Sequence, residues 1–230
     1  MSVAASALHA PRLQLESRPG WLIARFARPQ TMLSWAVVRG GRTTSATVAW
    51  RQVRDDELSP GLDPRRFLAR RLRGEGLTGA VGLMTSRSVE RFDDVTRRAD
   101  GVHARCVATV GLGNALRIGD PVGPSARIGT INLLVSVSLP LSGAAQLEAL
   151  SLAAEARTAA ILDAGIASRR SGAPATGTGT DCIVVACPTE ARGAAYAGKH
   201  TALGHVVGAA VHAAVLAGAR RWQDDQACRG

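Results

Sequence analysis

The chain has 230 residues, of which 46% are hydrophobic and 3% aromatic, and it carries a formal net charge of +10. A chain of this length buries roughly 70% of its unfolded surface in one large domain, so it needs no disulfide or structural metal to hold a core, and its apolar fraction excludes disorder. The charge invites a nucleic-acid or membrane surface. The basic residues are scattered, however, without long runs or interleaved aromatics, which excludes the base-stacking kind of binder and fits a GC-rich genome that crowds Ala, Gly and Arg into the chain.

Residues 1–18 read as a flexible N-terminal leader with no basic-then-apolar signal pattern, and the domain occupies 19–230. Residues 21–26 and 32–38 read as strands, and Arg39-Gly40-Gly41-Arg42 turns into a third at 43–50. Asp63-Pro64 opens a short basic helix that ends near Gly74. Strands follow at 79–84 and 103–110, the second running into Gly111-Leu112-Gly113-Asn114. In the strand 128–139, Leu133, Val135, Val137 and Leu139 share one face, and Asn132, Ser136 and Ser138 the other. Ser142 caps a helix to about Gly165, with Leu147, Leu150, Ala154 and Ile161 along its apolar stripe.

The apolar run 183–187 predicts a central strand buried on both faces. The last helix spans about 201–221, with Gly204 and Gly208 spaced for close packing. Its uncharged stretch has the length of a membrane span, but it is mostly Ala and Gly and contains His205 and His212, so it reads as a buried helix. The class is α+β: one domain, a mixed β-sheet sandwich with packed helices. A parallel α/β fold is the alternative.

The four cysteines, Cys106, Cys182, Cys187 and Cys228, form no C-x-x-C pair. Alternation puts Cys182 and Cys187 on opposite faces of their strand. Neither a zinc site nor a disulfide framework is indicated, and the expected location is the cytoplasm. Lys199 is the only lysine among 28 Lys and Arg residues. A lysine is a compact point charge that can release its proton, and an arginine is not, so its solitude predicts a task that arginine would not perform.

Three segments hold more Gly, Thr, Asn and charge than turns require. Thr176-Gly177-Thr178-Gly179-Thr180-Asp181 precedes the buried strand, and its amides can line an oxyanion site. It lacks the lysine of a phosphate-binding loop, which argues against phosphoryl transfer. Tyr196-Ala197-Gly198-Lys199-His200-Thr201 stands at the mouth of the last helix, where the helix dipole favours a neutral His200; equally, Thr201 is an N-cap and His200 solvated. Thr109-Val110-Gly111-Leu112-Gly113-Asn114 follows a strand and brings amides toward a polar ligand, or simply turns the chain. Glu155 interrupts an apolar face of its helix and needs a partner or a task.

Taken in order with Leu33-Ser34-Trp35-Ala36-Val37-Val38-Arg39-Gly40-Gly41, Met84-Thr85-Ser86, Gly129-Thr130-Ile131-Asn132 and Glu155-Ala156-Arg157-Thr158-Ala159-Ala160, these segments resemble the adenosylcobinamide amidohydrolase family from about residue 30 to 215. Two departures show: Arg157 stands where a lysine is expected, and Cys182 where a small residue such as alanine is expected. The second argues against Cys182 as a nucleophile.

The resemblance implies hydrolysis of the amide that joins a corrin propionate to 1-amino-2-propanol, yielding adenosylcobyric acid for corrinoid salvage. It implies a corrinoid substrate, no separate cofactor, and no nucleic-acid or membrane partner, and it leaves homo-oligomerisation open. Amide hydrolysis needs water activation, oxyanion stabilisation and protonation of the leaving amine. On these residues the expected catalytic set is Asp181 and His200 for proton transfer, Lys199 for the oxyanion, and Glu155 to orient Lys199 or His200. Gly177, Thr178, Gly179 and Thr180 supply loop amides, and Asn114, Asn132, Tyr196 and Thr201 contact substrate. No metal is expected: His200 and His205 lie about 140° apart on a helix. The competing reading is a non-catalytic corrinoid- or nucleotide-binding module.

Overall fold

The computed structural model describes residues 13–58, 61–123, 129–190 and 193–228. Strand β1 (Leu13–Arg18) pairs antiparallel with the first half of β2 (Trp21–Ser34). Residues 13–18, placed in a leader from the sequence, are therefore part of the sheet; the rest of that segment lies outside the described residues. The two strands expected at 21–26 and 32–38 are one. The ladder of β2 with β3 (Gly41–Gln52) is interrupted between Arg25 and Gln30, where Pro29 has no N–H to donate, and then resumes.

Helix α1 (Pro64–Gly74) starts at Asp63, whose carboxylate accepts from the Arg65 and Arg66 amides. It leads to β4 (Val81–Thr85), and β5 (Phe92–Ala99) and β6 (Val102–Val110) follow as a hairpin. The short β7 (Ala115–Leu116) precedes β8 (Ile131–Val137) and α2 (Gly143–Asp163), whose first turn Ser142 caps. A second short strand, β9 (Gly177–Thr178), leads into β10 (Cys182–Pro188) and then α3 (Ala202–Ala227).

Among the described residues, eight strands form one mixed sheet in the order β4-β3-β2-β10-β8-β6-β5, with β1 beside β2. The α+β expectation holds. β10 and β8 are parallel neighbours at the centre, with antiparallel partners outside them. This explains why their sequences are apolar at consecutive positions. Ile183, Val185 and Cys187 pack under α2 and α3, while Cys182, Val184 and Ala186 face the other side.

That other side is the inside of a curl: Leu22, Met32, Val48, Trp50 and Leu83 from one half of the sheet share a core with Val107, Leu134 and Val184 from the other. A hydrogen bond from Asn132 Nδ2 on β8 to the Met84 carbonyl on β4, 2.6 Å, staples the curl shut. The helices lie outside it. Leu68 and Leu72 of α1 cover Trp21, Ile23 and Ala49, and α2 and α3 cover the rest.

Three details differ from the sequence reading. β5 was not foreseen; it is an edge strand whose Asp94, Arg97 and Arg98 face outward, so charge hides its period. The buried stripe of α2 is Ala145, Ala149, Ala153, Ala160 and Ile161, while Leu147 is exposed, because small residues let the helix approach the sheet. Gly208 touches nothing with its missing Cβ, whereas Gly204 is needed: a Cβ there would strike the carbonyl oxygens of Ala197 and Gly198. α3 has the length and hydropathy of a membrane span, yet 56% of that stretch is buried in the fold, against β5, β6, β8 and α2.

Candidate active site

Register brings three of the singled-out segments together. β8 and β10 are parallel, so their N-terminal ends lie side by side, with Asn132 opposite Cys182. β6 runs antiparallel to β8 and delivers its C-terminal end to the same edge, with Thr109 opposite Asn132. The loops at this edge are then bonded to one another. Gly111 N donates to the Thr130 carbonyl at 3.0 Å. The Thr130 and Thr180 hydroxyls are 2.7 Å apart, and Thr180 Oγ1 donates to the Gly129 carbonyl at 2.8 Å. β7 and β9 add a two-stranded ladder between the 111–116 and 177–178 segments.

Asp181 ties this edge to the helix layer. Its carboxylate accepts from Ile131 N and Thr178 N, each at 3.0 Å, and from the Thr178 hydroxyl, and it forms an ion pair with Arg157 of α2. Its side chain is 6% exposed. Trp35 Nε1 donates to the Asp181 carbonyl at 2.5 Å. Gly177 is required beside this pair, because a Cβ would strike the Asp181 carboxylate and the Arg157 guanidinium. Asn114 is 7% exposed and packs its Oδ1 against Gly129, where a Cβ would sit at 2.5 Å. Asn132 is buried and engaged with Met84, so it serves the curl of the sheet.

A cavity of about 1160 Å³ opens over these loops; Gly113, Asn114, Arg157, Thr158 and the 176–180 segment form one wall. Arg117, Asp120, Arg169 and Arg170 line it as well, so part of the positive charge of the chain is concentrated here. Ile118 and Val122, also in the lining, are strongly exposed apolar side chains.

Asp120 was not singled out from the sequence. Its Oδ2 accepts from Ser168 Oγ at 2.5 Å and from Arg117 N at 2.8 Å, and the Ser168 hydroxyl above all holds its carboxyl below the ordinary carboxylate range. It stands in an irregular segment where no periodicity marks it, and its partner is some fifty positions away, |i−j| = 48.

The fourth segment lies elsewhere. Lys199 Nζ pairs with Glu155 of α2, and both side chains are largely exposed, 69% and 57%. Ala197 N donates to Glu148 Oε2 at 2.6 Å on the same helix. Glu155 and Arg157 are two residues apart and thus about 200° apart around α2, so the Lys199 pair and the cavity lie on different faces of it. Neither Lys199 nor His200 nor Tyr196 lines the cavity.

Glu155 interrupts no buried face, because the core side of α2 is the alanine stripe. Thr201 is the N-cap of α3, accepting from Gly204 N at 3.0 Å. Cys182 is buried, and burial pushes its thiol up to about 12, so it is no thiolate at neutral pH. Among the described residues, no group of three or more His, Cys, Asp or Glu side chains is placed to hold a metal.

A curled mixed sheet with helices outside, and a cavity over Gly- and Thr-rich strand ends, define a single-domain α+β protein with a candidate site at that edge. A family model described as adenosylcobinamide amidohydrolase matches residues 5–227, nearly the whole chain, and the protein belongs to that family. It is also similar to the protein described as "Uncharacterized protein MJ1613" of Methanocaldococcus jannaschii, 35% identical over 94 residues. That match covers 40% of this chain and 36% of the relative, so the chain spans about a third of the relative's length.

Proposed function

We propose that the protein hydrolyses the amide between a corrin propionate and 1-amino-2-propanol in adenosylcobinamide, giving adenosylcobyric acid and the free amine. Family membership over residues 5–227 supports a hydrolase of this substrate class. The observation that carries the reading to a place on the molecule is the cavity of about 1160 Å³. It exceeds the 300–1,000 Å³ range usual for drug-sized ligands, as a macrocyclic substrate requires. Its exposed apolar rim at Ile118 and Val122 suits a ring face, and its arginines and loop amides suit amide oxygens.

In this proposal Asp120 is the proton-transfer group. Its carboxylate takes a proton from the attacking water and returns it to the departing nitrogen; the Ser168 hydrogen bond that lowers its pKa also weakens it as a base, so the role rests on its place in the cavity lining. Asp181 and Arg157 keep the 177–180 loop in place; all four hydrogen bonds and ion-pair contacts on the Asp181 carboxylate serve that task. Lys199, His200, Glu155, Tyr196 and Thr201, for which the sequence suggested direct roles, stand outside the cavity lining, so the chemistry proposed here runs without them.

The test is incubation with adenosylcobinamide, following cobyric acid by mass and released aminopropanol by amine derivatisation. Stoichiometric appearance of both supports the reading. A shift of the corrin absorbance with no amine released over hours identifies a binding module instead.

A further inference from the structure

The proposed chemistry changes the charge of what the cavity holds. An amide and a water become a carboxylic acid and an amine. At neutral pH the proton passes from the first to the second, leaving a carboxylate and an ammonium. The new carboxylate forms at Asp120, which is also ionised. Like charges at one site disfavour each other, so the product is held there only if the cavity supplies a cation beside Asp120.

Arg170 stands in that place. Its Nη1 donates to the carbonyl of Pro121, the residue that follows Asp120. Ser168 Oγ joins the two from the other side: it donates to Asp120 Oδ2 at 2.5 Å and accepts from Arg170 N at 3.1 Å. Gly123 gives the guanidinium its seat, because a Cβ there would lie 2.8 Å from Arg170 Nη1 and 3.2 Å from its Cζ. Arg170, Asp120 and Gly123 all line the cavity.

The charge around them is not balanced. Among the described lining residues the arginines are Arg117, Arg157, Arg169 and Arg170, and the one carboxylate is Asp120. Arg157 is matched by Asp181, which lies outside the lining. Arg117 donates to the Pro174 carbonyl at 2.9 Å, and Arg169 lies 5.8 Å over the Trp222 ring; neither meets a carboxylate among the described residues. A substrate whose polar groups are amides offers no counterpart to this excess of positive charge. The arginines are also held before any ligand arrives. Their bonds to Pro174 and Pro121, with Arg169 N to the Ala115 carbonyl at 2.8 Å, brace the 115–121 and 168–174 segments against each other.

We infer that Arg170, backed by Arg169 and Arg117, is the receptor for the carboxylate that hydrolysis creates, so that the cavity holds its product more tightly than its substrate. The inference rests on the amide-hydrolysis reading above. A guanidinium presents five N–H donors and bonds a carboxylate more strongly than a neutral amide oxygen. The ammonium product meets the same positive charge and leaves first. The enzyme is therefore inhibited by its own corrinoid product.

The experiment compares two corrinoids that differ at one group: adenosylcobyric acid, and the same molecule with that carboxylate converted to a primary amide. Binding of each is read from the corrin absorbance shift immediately on mixing. The unmutated protein is compared with R170M, R169M and G123A, each checked for cooperative thermal unfolding. The unmutated protein should bind the acid about tenfold or more tightly than the amide, the scale of hydrogen bonds to a charged group.

R170M should reduce that preference to about twofold. G123A keeps the charge but displaces the guanidinium, and it should reduce the preference as well. R169M should reduce it by less than R170M does. Binding of the amide should change by less than about threefold in all three variants. In turnover, adenosylcobyric acid should inhibit competitively, and R170M should raise its Ki by about tenfold.

An acid bound no more tightly than the amide by the unmutated protein overturns the inference while leaving the hydrolase reading standing. So does a preference that survives intact in folded R170M. If R170M fails to unfold cooperatively, G123A and R169M decide. An unmutated protein that prefers the acid but releases no aminopropanol from adenosylcobinamide overturns both the hydrolysis and the product role, leaving only a site for corrin carboxylates.

Discussion

Two ion pairs leave α2 in different directions, and they behave as opposites. Arg157 and Asp181 meet with side chains 16% and 6% exposed, and the carboxylate is also bonded to Ile131 and Thr178. Lys199 and Glu155 meet with side chains 69% and 57% exposed. Water screens the second pair and leaves it worth about 0–1 kcal/mol. In the first pair, removing one partner leaves a buried charge alone. The rare residue type in the sequence therefore marks the weaker contact, and the pair built from common residue types ties the 177–181 loop to α2 and β8.

The sharpest way to break this contrast is Asp181→Ala. It strands the Arg157 guanidinium and frees the Thr178 and Ile131 amides, and it should cost about 3–5 kcal/mol of stability; turnover should disappear with it. Denaturant unfolding of the variant reads the first effect and amine release the second. A loss under 1 kcal/mol would show that the 177–181 loop is held by something else.

Next in size, Asp120→Asn should lower kcat by about 10²-fold, the lower end of what a positioned acid–base group contributes, with the melting temperature little changed. Its pH dependence has a definite sign. The folded carboxyl titrates below its ordinary 3.8, so the ionised form, and any stability it contributes, is present above that value and lost only as pH falls through the lower folded one. The carboxylate alone should therefore impose no acid limb on kcat between pH 7 and about 4. An acid limb near pH 6 that vanishes in Asp120→Asn would contradict that ionisation.

Cys182→Ala tests the buried thiol. Turnover should stay within threefold, and stability should fall by about 1 kcal/mol for the small volume removed. Complete loss of activity in a well-folded protein would revive a thiol mechanism. The smallest effect is expected at Lys199. Lys199→Arg and Lys199→Ala should both keep kcat within threefold and shift stability by about 1 kcal/mol at most. A hundredfold loss in Lys199→Arg would mean that the segment 196–201 closes over the cavity during turnover, and it would restore the role that the lone lysine suggests.

The elements that could be read from the sequence were those where local chemistry and tertiary environment agree. Asp63, Ser142 and Thr201 cap the helices they were expected to cap. The 183–187 run is the central strand, and Cys182 and Cys187 face opposite cores. The convergence of 109–114, 129–132 and 177–181 follows from strand direction, which the apolar patterns support but do not specify. The side of α2 taken by 196–201 was hidden, because adjacency of Lys199 and His200 along the chain says nothing about which face of another helix they meet. Asp120 was hidden for the opposite reason: its partner Ser168 is remote, and its own neighbours carry no pattern.

The position of β10 has a consequence for how the molecule is made. It is the last strand of the sheet to leave the ribosome, yet it lies between β2 and β8. Until it arrives, β2 at 30–34 and β8 at 132–136 present bare edges toward each other, and such edges invite pairing with other chains. Folding must wait for contacts about 150 positions apart, such as Val184 with Ser34, which places this protein among the slow, topology-limited folders. A nascent chain stalled before residue 182 would hold two half-sheets with nothing between them, and chaperones should be needed most during that interval.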